Sequence, residues 1–508
     1  MRRLLLALIL LLGFSLRFMC VHWGLPSKSG RLYSYNPDES AVFNTISKWG
    51  KTVSIARPTM PFLIYGGFYL TPIAGALKLA QVTGLVHIGS RQWLEANLPE
   101  ADRMYLVGRW ISLICGVLAI LMAFLLAEAC YGASAGLLAA FLMATCPDMI
   151  MYSILIKPDM MMIAFALTAW WLGVKERWVL SGLVFGLAIA TKISAAPFPL
   201  LVLLFAERKG KVLAYLSGFT VLGFFIASPY FALYPSMFKV LWNYAHNPWC
   251  TLPIYETMYG HGLIANARYY LPWAMGAPLL IMSAVAAIAL YCRKDKSKFD
   301  AALIFSAFIF YIAYSFMRTG ATNYILPVVP LLFIILARCF FMIKKIWFYI
   351  LFPLAVVFAL RDSGYLIKQL HNKNNRELAS EWIDRNIPKG GKVLTVNFSY
   401  MLPAALRKYH CDYKVLGAEG FDFLDSLAAF KNMESTQADY LFIADAQIRD
   451  YLNPKLDCYF HEQAITIRRM LAGYKEVAQF QGAWGDEPED WVCINNGIRI
   501  YRIGDVVE

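Results

Sequence analysis

The chain has 508 residues, of which 59% are hydrophobic and 16% are charged, and its mean hydropathy is +0.50. This composition excludes a water-soluble enzyme and indicates a protein with many membrane-spanning helices. Residues 1–371 hold 31 basic and 14 acidic side chains, a net charge of +17, whereas residues 372–508 hold 16 and 20, a net charge of −4. The basic surplus therefore belongs to the apolar part, where Lys and Arg collect in cytoplasmic loops, and it does not indicate nucleic-acid binding.

Eleven apolar runs of helical length predict eleven transmembrane helices. The first run starts at Met1 and no small-residue cleavage site follows it, so we expect an uncleaved anchor with its amino end inside. Arg17, near the far end of this run, is expected to snorkel to the membrane interface. The other runs begin near Tyr105, Ala135, Met160, Trp178, Pro197, Val212, Pro272, Phe299, Tyr324 and Ile346.

The segment 61–88 decides on which side of the membrane the loops lie. It is long enough to span, but it is interrupted by glycines and a proline and carries Lys78. If it lies along the interface instead, the Lys and Arg clusters of the later loops all fall on the cytoplasmic side. This interpretation predicts an inside amino terminus, an outside carboxyl terminus, and two long outer loops at residues 23–103 and 228–270.

After Asp362 the composition changes to that of a soluble domain. The predicted fold is therefore a polytopic α-helical membrane domain, residues 1–362, followed by an extracytoplasmic α/β domain, residues 363–508. A helix is predicted over 376–387, because helical periodicity there ends at Pro388. Further helical stretches are predicted at 402–408 and 423–431, and strands at 392–396, 438–444, 476–480 and 498–503.

Acidic residues at the predicted outer membrane edge are the first candidates for chemistry, because a charge is costly there. Asp38 and Glu39 follow an Asn-Pro pair and begin an amphipathic helix just outside the first span. Asp159 lies at the outer end of the third span and begins the fourth. Helix capping is the alternative for each, with Lys157 as the local counter-ion of Asp159. Their convergence on one face favours a catalytic site, with a general base and an orienting group, or with a shared divalent cation.

Basic residues on the predicted outer face are exceptions to the positive-inside bias. Arg57 precedes a proline, Lys192 ends a span, and Arg318 lies in a short glycine-containing loop shortly before Tyr324. Each could simply anchor a helix end at lipid phosphates, and for Lys192 this alternative is at least as good. Arg318 is the better candidate for a substrate phosphate, because a guanidinium held between two spans can grip phosphate oxygens in a forked geometry.

Two histidines, His246 and His261, fall in the aromatic-rich second outer loop, where a structural role is the more common one. If a cation binds, its candidate ligands are Asp38, Asp159 and His246. Zincin, α/β-hydrolase and P-loop motifs do not occur in the sequence, and the ten cysteines form no CxxC pair.

The order of these features resembles the GT-C superfamily of integral-membrane glycosyltransferases. The shared features are an anchor, an acidic pair in the first outer loop, a second outer Asp, Thr-Lys at a span end, a His-bearing outer loop, and Tyr-Ile-Leu-Pro after a basic outer residue. The nearest branch holds lipid A aminoarabinose transferases and protein O-mannosyltransferases, which use a sugar linked to a polyprenyl phosphate. The resemblance covers about residues 1–345.

Carried over by position, the resemblance implies that Asp38 is the base or a metal-facing acid, with Glu39 beside it, and that Asp159 is the second-loop acid. Arg57 stands where the aminoarabinose transferases have a Lys-Pro that contacts the donor phosphate. Those transferases also carry a Glu directly before that Lys-Pro, whereas this chain has Ala56. A metal site that needs this carboxylate therefore lacks one of its ligands here.

The resemblance also matches Arg318 to a basic residue before the Tyr-Ile-Leu segment, and His246 to a His after an aromatic stretch. It implies an inverting transfer from a polyprenyl-phosphate sugar to the hydroxyl of a glycolipid, polysaccharide or protein, with Asp38 as base. The expected site also includes Lys192 at the donor phosphate, with His246, His261 and Tyr324 as auxiliary residues. The expected location is the bacterial inner membrane, with the site facing outward and with no nucleic-acid partner.

Two other classes of function stay open on the sequence. A transporter or flippase for an anionic lipid-linked compound would use the same charges as a translocation path, but such proteins usually show internal repeats and charges near the bilayer midplane. Neither feature is found here. An envelope-assembly scaffold is the third alternative, and it predicts that alanine at Asp38 and Asp159 is harmless.

Overall fold

The protein is represented by a computed structural model, and its contacts divide the chain into two compact units. The helical unit contains Met1–His22, Asp38–Ile88 and Arg103–Ile367, and the sheet-containing unit contains Trp23–Pro37, Gly89–Asp102 and Lys368–Glu508. The first outer loop predicted at 23–103 thus contributes to both units. The structure describes residues 1–52, 67–206, 209–233, 235–239, 253–316, 320–342, 346–395, 401, 403–408, 438–485 and 487–503.

Helices dominate the chain up to residue 371. In chain order they are α1 (Arg2–Phe18), α2 (Pro26–Ser29), α3 (Pro37–Thr52), α4 (Leu70–Val82), α5 (Arg91–Ala96), α6 (Leu98–Tyr131), α7 (Ala133–Thr145), α8 (Pro147–Ile154), α9 (Asp159–Val174), α10 (Trp178–Thr191), α11 (Pro199–Phe205), α12 (Lys209–Ala227), α13 (Tyr230–Leu233), α14 (Pro253–Tyr259), α15 (Gly262–Ala265), α16 (Leu271–Met275), α17 (Ala277–Tyr291), α18 (Lys298–Ser315), α19 (Val329–Met342) and α20 (Ile346–His371). Short 3-10 turns lie at Ile193–Ala195, Thr322–Tyr324 and Leu326–Val328, and a π-helical turn lies at Asn266–Tyr270.

Every apolar run identified in the sequence coincides with helix, because a backbone in hydrocarbon must satisfy its own hydrogen bonds. Within the described residues, four helices are long and apolar enough to cross a membrane, or up to six if each of two bent pairs is one span. The bent pairs are α7 with α8, at 60°, and the helices of residues 262–275 with α17, at 116°. The number eleven and the orientation stay predictions.

Glycines bring α10 and α12 into close contact. A Cβ on Gly186 would lie 2.4 Å from the Phe224 nitrogen, and one on Gly223 would lie 2.4 Å from the Leu183 carbonyl oxygen. Gly182 precedes Gly186 by one helical turn and also faces the α12 backbone. Small residues at this spacing let two apolar helices approach closely, which favours their packing in a membrane.

Arg17 does not snorkel to the interface, and the sequence-based expectation is wrong here. Its side chain is fully buried, and its guanidinium donates to Ser153 Oγ at 2.9 Å and to the carbonyl oxygens of Gly13 at 2.9 Å and Ala144 at 3.0 Å. The Ala144 carbonyl belongs to the last turn of α7, whose carbonyls have no helical partner at the 60° bend. Arg17 turns inward because the bend offers it acceptors.

The described part of segment 61–88 contains α4, a helix of 13 residues. At 1.5 Å per residue it is about 20 Å long, which is shorter than the roughly 30 Å hydrocarbon core. This helix alone is therefore too short to span a membrane. Residues 53–66, including Arg57, lie outside the described residues.

The carboxyl-terminal part forms a four-stranded sheet of β1 (Val393–Thr395), β2 (Tyr440–Ala444), β3 (Lys475–Phe480) and β4 (Ile498–Arg502), in the order β1-β2-β4-β3. β1 and β2 are parallel, whereas β4 is antiparallel to both β2 and β3. All four predicted strands are present, with small differences at their ends. The structure thus confirms a helical chain with a sheet-containing carboxyl-terminal region.

The predicted helix at 376–387 is α21 (Asn375–Asn386), and Asn374 and Glu377 form a capping box at its start. It packs against the sheet through Ala379 and Ile383. Residues 404–408 form a 3-10 helix, while the predicted helix at 423–431 lies outside the described residues. Three further helices were not predicted from the sequence: α22 (Asp445–Leu452), α23 (Asp457–Ala472) and α24 (Glu489–Val492).

Candidate active site

Asp38 and Glu39 lie side by side in the first turn of α3 but meet different surroundings. Successive residues of a helix point about 100° apart. The Asp38 side chain is 49% exposed and pairs with Lys157, whose Nζ lies 2.9 Å from Asp38 Oδ2. The Glu39 side chain is completely buried. The pair therefore consists of one accessible carboxylate and one buried carboxylate.

Glu39 is held by a two-pronged ion pair with Arg109 of α6, which is also completely buried. Arg109 Nε donates to Glu39 Oε1 at 2.8 Å, and its Nη2 donates to Oε2 at 2.7 Å. Arg109 Nη1 donates to the Val21 carbonyl oxygen at 2.7 Å, and the Ile156 backbone N–H donates to Glu39 Oε1 at 2.9 Å. This network joins α3, α6 and the segment that follows α8.

Asp159 and Lys192 form a second acid–lysine pair, and both side chains are nearly buried at 1% and 4% exposure. Asp159 is the first residue of α9, Lys192 directly follows α10, and the Lys192 Nζ lies 2.7 Å from Asp159 Oδ1. The Lys192 ammonium also lies 5.0 Å from the ring centre of Tyr324, within cation–π range. Asp159 Oδ2 has no hydrogen-bond partner among the described residues.

The two acid–lysine pairs share one short stretch of chain. Lys157 and Asp159 flank Pro158 between α8 and α9, so this stretch supplies the cation of one pair and the anion of the other. The Lys157 ammonium lies 5.5 Å from the ring centre of Tyr152. The sequence suggested Lys157 as the counter-ion of Asp159, and this is wrong, because Lys157 pairs with Asp38 and Lys192 pairs with Asp159.

The structure brings together five of the predicted residues in two neighbouring groups, Asp38 with Glu39, and Asp159 with Lys192 and Tyr324. His261 is exposed, and its Nδ1 accepts a hydrogen bond from the Leu263 N–H at 3.4 Å, so it caps its own short helix, α15. The remaining predicted residues, Arg57, His246 and Arg318, lie outside the described residues. The catalytic and binding roles of all these residues stay predictions.

A divalent-cation site does not fit the described donors. Within the residues that the structure describes, no group of three or more His, Cys, Asp or Glu side chains could hold a metal ion. Asp38 and Asp159 each have a lysine ammonium within 2.9 Å, which would compete with a cation for the carboxylate. A cation requirement stays a prediction.

Arg109 was not among the residues predicted from the sequence, although a signal for it was present. Arg109 lies inside the apolar run that begins near Tyr105, and an ionisable residue within a span usually faces a partner in the protein interior. Its partner, Glu39, is 70 residues away in the chain. The pairing itself therefore had no local signal.

Comparisons with known proteins point to one superfamily. The family model of dolichyl-phosphate-mannose-protein mannosyltransferase matches residues 102–232, about a quarter of the chain. This range contains Arg109, Lys157, Asp159 and Lys192, whereas Asp38 precedes it. No curated protein sequence matches the chain.

Solved structures similar to this chain include the oligosaccharyltransferase of Archaeoglobus fulgidus. Its crystal structure with zinc and sulfate matches with a TM-score of 0.52 and 14% identity, over 93% of this chain and 71% of that one. Its structure tethered to an acceptor peptide with an NVT sequon gives a TM-score of 0.51 and 14% identity, over 94% and 72%. ArnT from Cupriavidus metallidurans bound to undecaprenyl phosphate gives a TM-score of 0.49 and 13% identity, over 99% and 98%.

The matching family model describes a mannosyltransferase, which supports a glycosyltransferase-type function. The long apolar helices of the described residues support an integral membrane protein. The resemblance predicted from the sequence is confirmed, and the chain has the fold of the GT-C superfamily of membrane glycosyltransferases, with a segment that matches the mannosyltransferase family.

Proposed function

We propose that the chain is an inverting glycosyltransferase that moves a sugar from a polyprenyl-phosphate donor to an acceptor hydroxyl at the outer face of the membrane. The GT-C fold and the mannosyltransferase match support the reaction class. The assignment of the site rests on one observation about Asp38. Its carboxylate is half exposed, so that a substrate can reach it, and it is also fixed in place by Lys157 at 2.9 Å.

In the proposed reaction Asp38 accepts the proton of the acceptor hydroxyl. The hydroxyl oxygen attacks the anomeric carbon, and the bond from this carbon to the phosphate oxygen breaks. Attack opposite the leaving group inverts the anomeric centre, and the lipid phosphate leaves with the electron pair, so no nucleoside triphosphate is consumed. A positioned base of this kind typically accelerates a reaction by about 10²–10⁴-fold.

The donor phosphate is assigned to Arg57 and Arg318, whose guanidinium groups would offset the charge that grows as the bond breaks. This assignment rests on their order in the sequence. Lys192 was also a candidate, but it donates to Asp159 and is nearly buried. It would have to leave that carboxylate to reach a phosphate, so within this proposal it orients Asp159.

The proposed partners are a polyprenyl-phosphate sugar as donor and a glycolipid, a polysaccharide or a secreted protein as acceptor. The proposed location is a bacterial plasma membrane with the site facing outward. These details extend the reaction class by analogy with the mannosyltransferase family and the oligosaccharyltransferase fold.

The test compares cells that lack the gene with cells complemented by the wild type, Asp38→Asn or Asp295→Asn. Asp295 is an exposed aspartate that pairs with Arg293 in a distant loop, so it is a matched control. Polyprenyl-phosphate sugars and envelope glycans are profiled by mass spectrometry. Loss of the gene should raise one lipid-linked sugar and remove one glycan modification, and Asp295→Asn should restore both while Asp38→Asn does not.

Full restoration by Asp38→Asn at equal protein level would overturn the assignment of the base. The transporter alternative has a different outcome, because a transporter reconstituted in vesicles would move the lipid-linked compound between leaflets without cleaving it. Intact donor after incubation of the purified protein with the lipid-linked sugar that accumulates in cells lacking the gene, and with the accepting fraction, would count against a transferase.

A further inference from the structure

We infer that Glu39 and Arg109 are positioning residues that hold Asp38 in register with Lys157, and this inference rests on the proposed function. Two parallel contacts join the same two segments. Glu39, the residue after Asp38, accepts a hydrogen bond from the backbone of Ile156, the residue before Lys157, at 2.9 Å. Asp38 and Lys157 meet at the same distance. The buried hydrogen bond from Ile156 to Glu39 therefore fixes the alignment of the two segments that the more exposed Asp38–Lys157 ion pair needs.

The segment between α8 and α9 is not helical, so its position depends on hydrogen bonds to other parts of the fold. Residues 155–158 lie between the two helices, and Pro158 has no N–H to donate. The Lys157 N–H bonds to the Leu155 carbonyl oxygen at 2.8 Å, which is a local contact. The hydrogen bond from Ile156 to Glu39 crosses from this segment to α3, so it ties the segment to another part of the fold.

Arg109 sets the position of the Glu39 carboxylate. Its fork binds both carboxylate oxygens, and its third nitrogen donates to the Val21 carbonyl oxygen at 2.7 Å. Both side chains are completely buried, and a buried ion pair contributes little net stability because each charge is desolvated. Apolar side chains could fill the same volume, but they could not accept the Ile156 hydrogen bond. The directional contacts therefore favour a role in positioning.

The experiment uses the full chain in detergent and compares the wild type with Glu39→Gln and Arg109→Lys. Glutamine keeps the volume of Glu39 but places an N–H group against the Arg109 guanidinium. Lysine keeps the positive charge of Arg109 but cannot donate two parallel hydrogen bonds to Glu39. Glu381→Gln is the matched control, because Glu381 belongs to exposed ion pairs of the sheet-containing unit. Acetylation of individual lysines by a small amine-reactive reagent is followed by mass spectrometry.

The acetylation rates of three lysines separate a local change at the Asp38–Lys157 pair from general unfolding. Lys157 is 10% exposed and reports the register, Lys192 is 4% exposed and reports general unfolding, and Lys28 is 55% exposed and is the reference. In Glu39→Gln we expect Lys157 to react about fivefold to thirtyfold faster, the range of factors by which the loss of one strong contact shifts an equilibrium. Lys192 should react at the wild-type rate, and Arg109→Lys should give the same pattern with a smaller change.

Unchanged acetylation of Lys157 would overturn the inference, and so would an equal rise at Lys157 and Lys192, which indicates a general stabilising role. Turnover of the lipid-linked sugar that accumulates in cells lacking the gene is measured on the same samples, and kcat should fall more than KM rises. If the labelling pattern is as expected but the wild type shows no transfer, the proposed function fails while the positioning role stands.

Discussion

The two acid–lysine pairs of the site have the same chemistry but different exposure, so loss of the lysine should have different consequences. Lys192→Met removes the hydrogen bond that the structure shows for the Asp159 carboxylate, which is 1% exposed and has no described partner for Oδ2. A buried charge that loses its partner costs about 3–5 kcal/mol. Lys157→Met leaves Asp38, which is 49% exposed and can be hydrated, so the cost should be about 0–1 kcal/mol.

The assay is the apparent melting temperature of the purified protein in detergent, measured at one scan rate because membrane proteins often unfold irreversibly. Lys192→Met should melt several degrees below the wild type, whereas Lys157→Met should melt within about one degree of it. A second variant, Asp159→Asn combined with Lys192→Met, removes the buried charge together with its partner. It should recover most of the lost stability.

Equal losses in the two single variants would refute the reasoning, because they would show that exposure does not set the cost. A double variant no more stable than Lys192→Met would also refute it, since the unpaired Asp159 charge would then not be the cause. At Lys157 we expect turnover to fall even though the melting temperature hardly changes. A well-folded Lys157→Met protein should still lose activity, because Lys157 holds the proposed base.

Two further substitutions test the packing of the helical unit by the same melting assay. Gly186→Ala should destabilise by about 1–3 kcal/mol, because the new Cβ would lie 2.4 Å from backbone atoms of α12, whereas Gly218→Ala, with no atom within 4 Å, should be neutral or slightly stabilising. Arg17→Met should lower the free energy of unfolding by about 2–6 kcal/mol. It leaves the Met143 and Ala144 carbonyls at the helix bend without this donor, at about 1–3 kcal/mol each. Arg3→Met is the control, because Arg3 is exposed and its loss should have little effect. Equal melting temperatures within either pair of variants would contradict these assignments.

Short stretches of sequence were enough to predict the strands, a helix end and the starts of two helices. The four strands were predictable because each is a short run with β-branched or aromatic residues, and the helix before Pro388 was predictable because its periodicity and its stop signal agree. Asp38 and Asp159 were placed correctly at the starts of helices for the same reason. Each of these features is decided within about ten residues of chain.

Pairings between distant residues were not predictable in this way. Lys157 is two residues from Asp159 but pairs with Asp38, because the break at Pro158 separates the two side chains and α3 brings another carboxylate within reach. Arg17 has a side chain long enough either to reach the interface or to turn inward. The choice depends on carbonyl groups at a bend about 125 residues away, which only the folded chain supplies.

The burial of the three ion pairs also indicates which of them can take part in chemistry. Glu39–Arg109 is completely buried, Asp159–Lys192 is nearly buried, and Asp38–Lys157 has a half-exposed carboxylate. Separating either buried pair costs several kcal/mol, about as much as a strong substrate contact returns, whereas Asp38 can exchange its lysine for a substrate hydroxyl at about 0–1 kcal/mol. The two buried pairs are therefore suited to hold the site rigid, and the difference in exposure favours Asp38 over Glu39 and Asp159 as the proposed base.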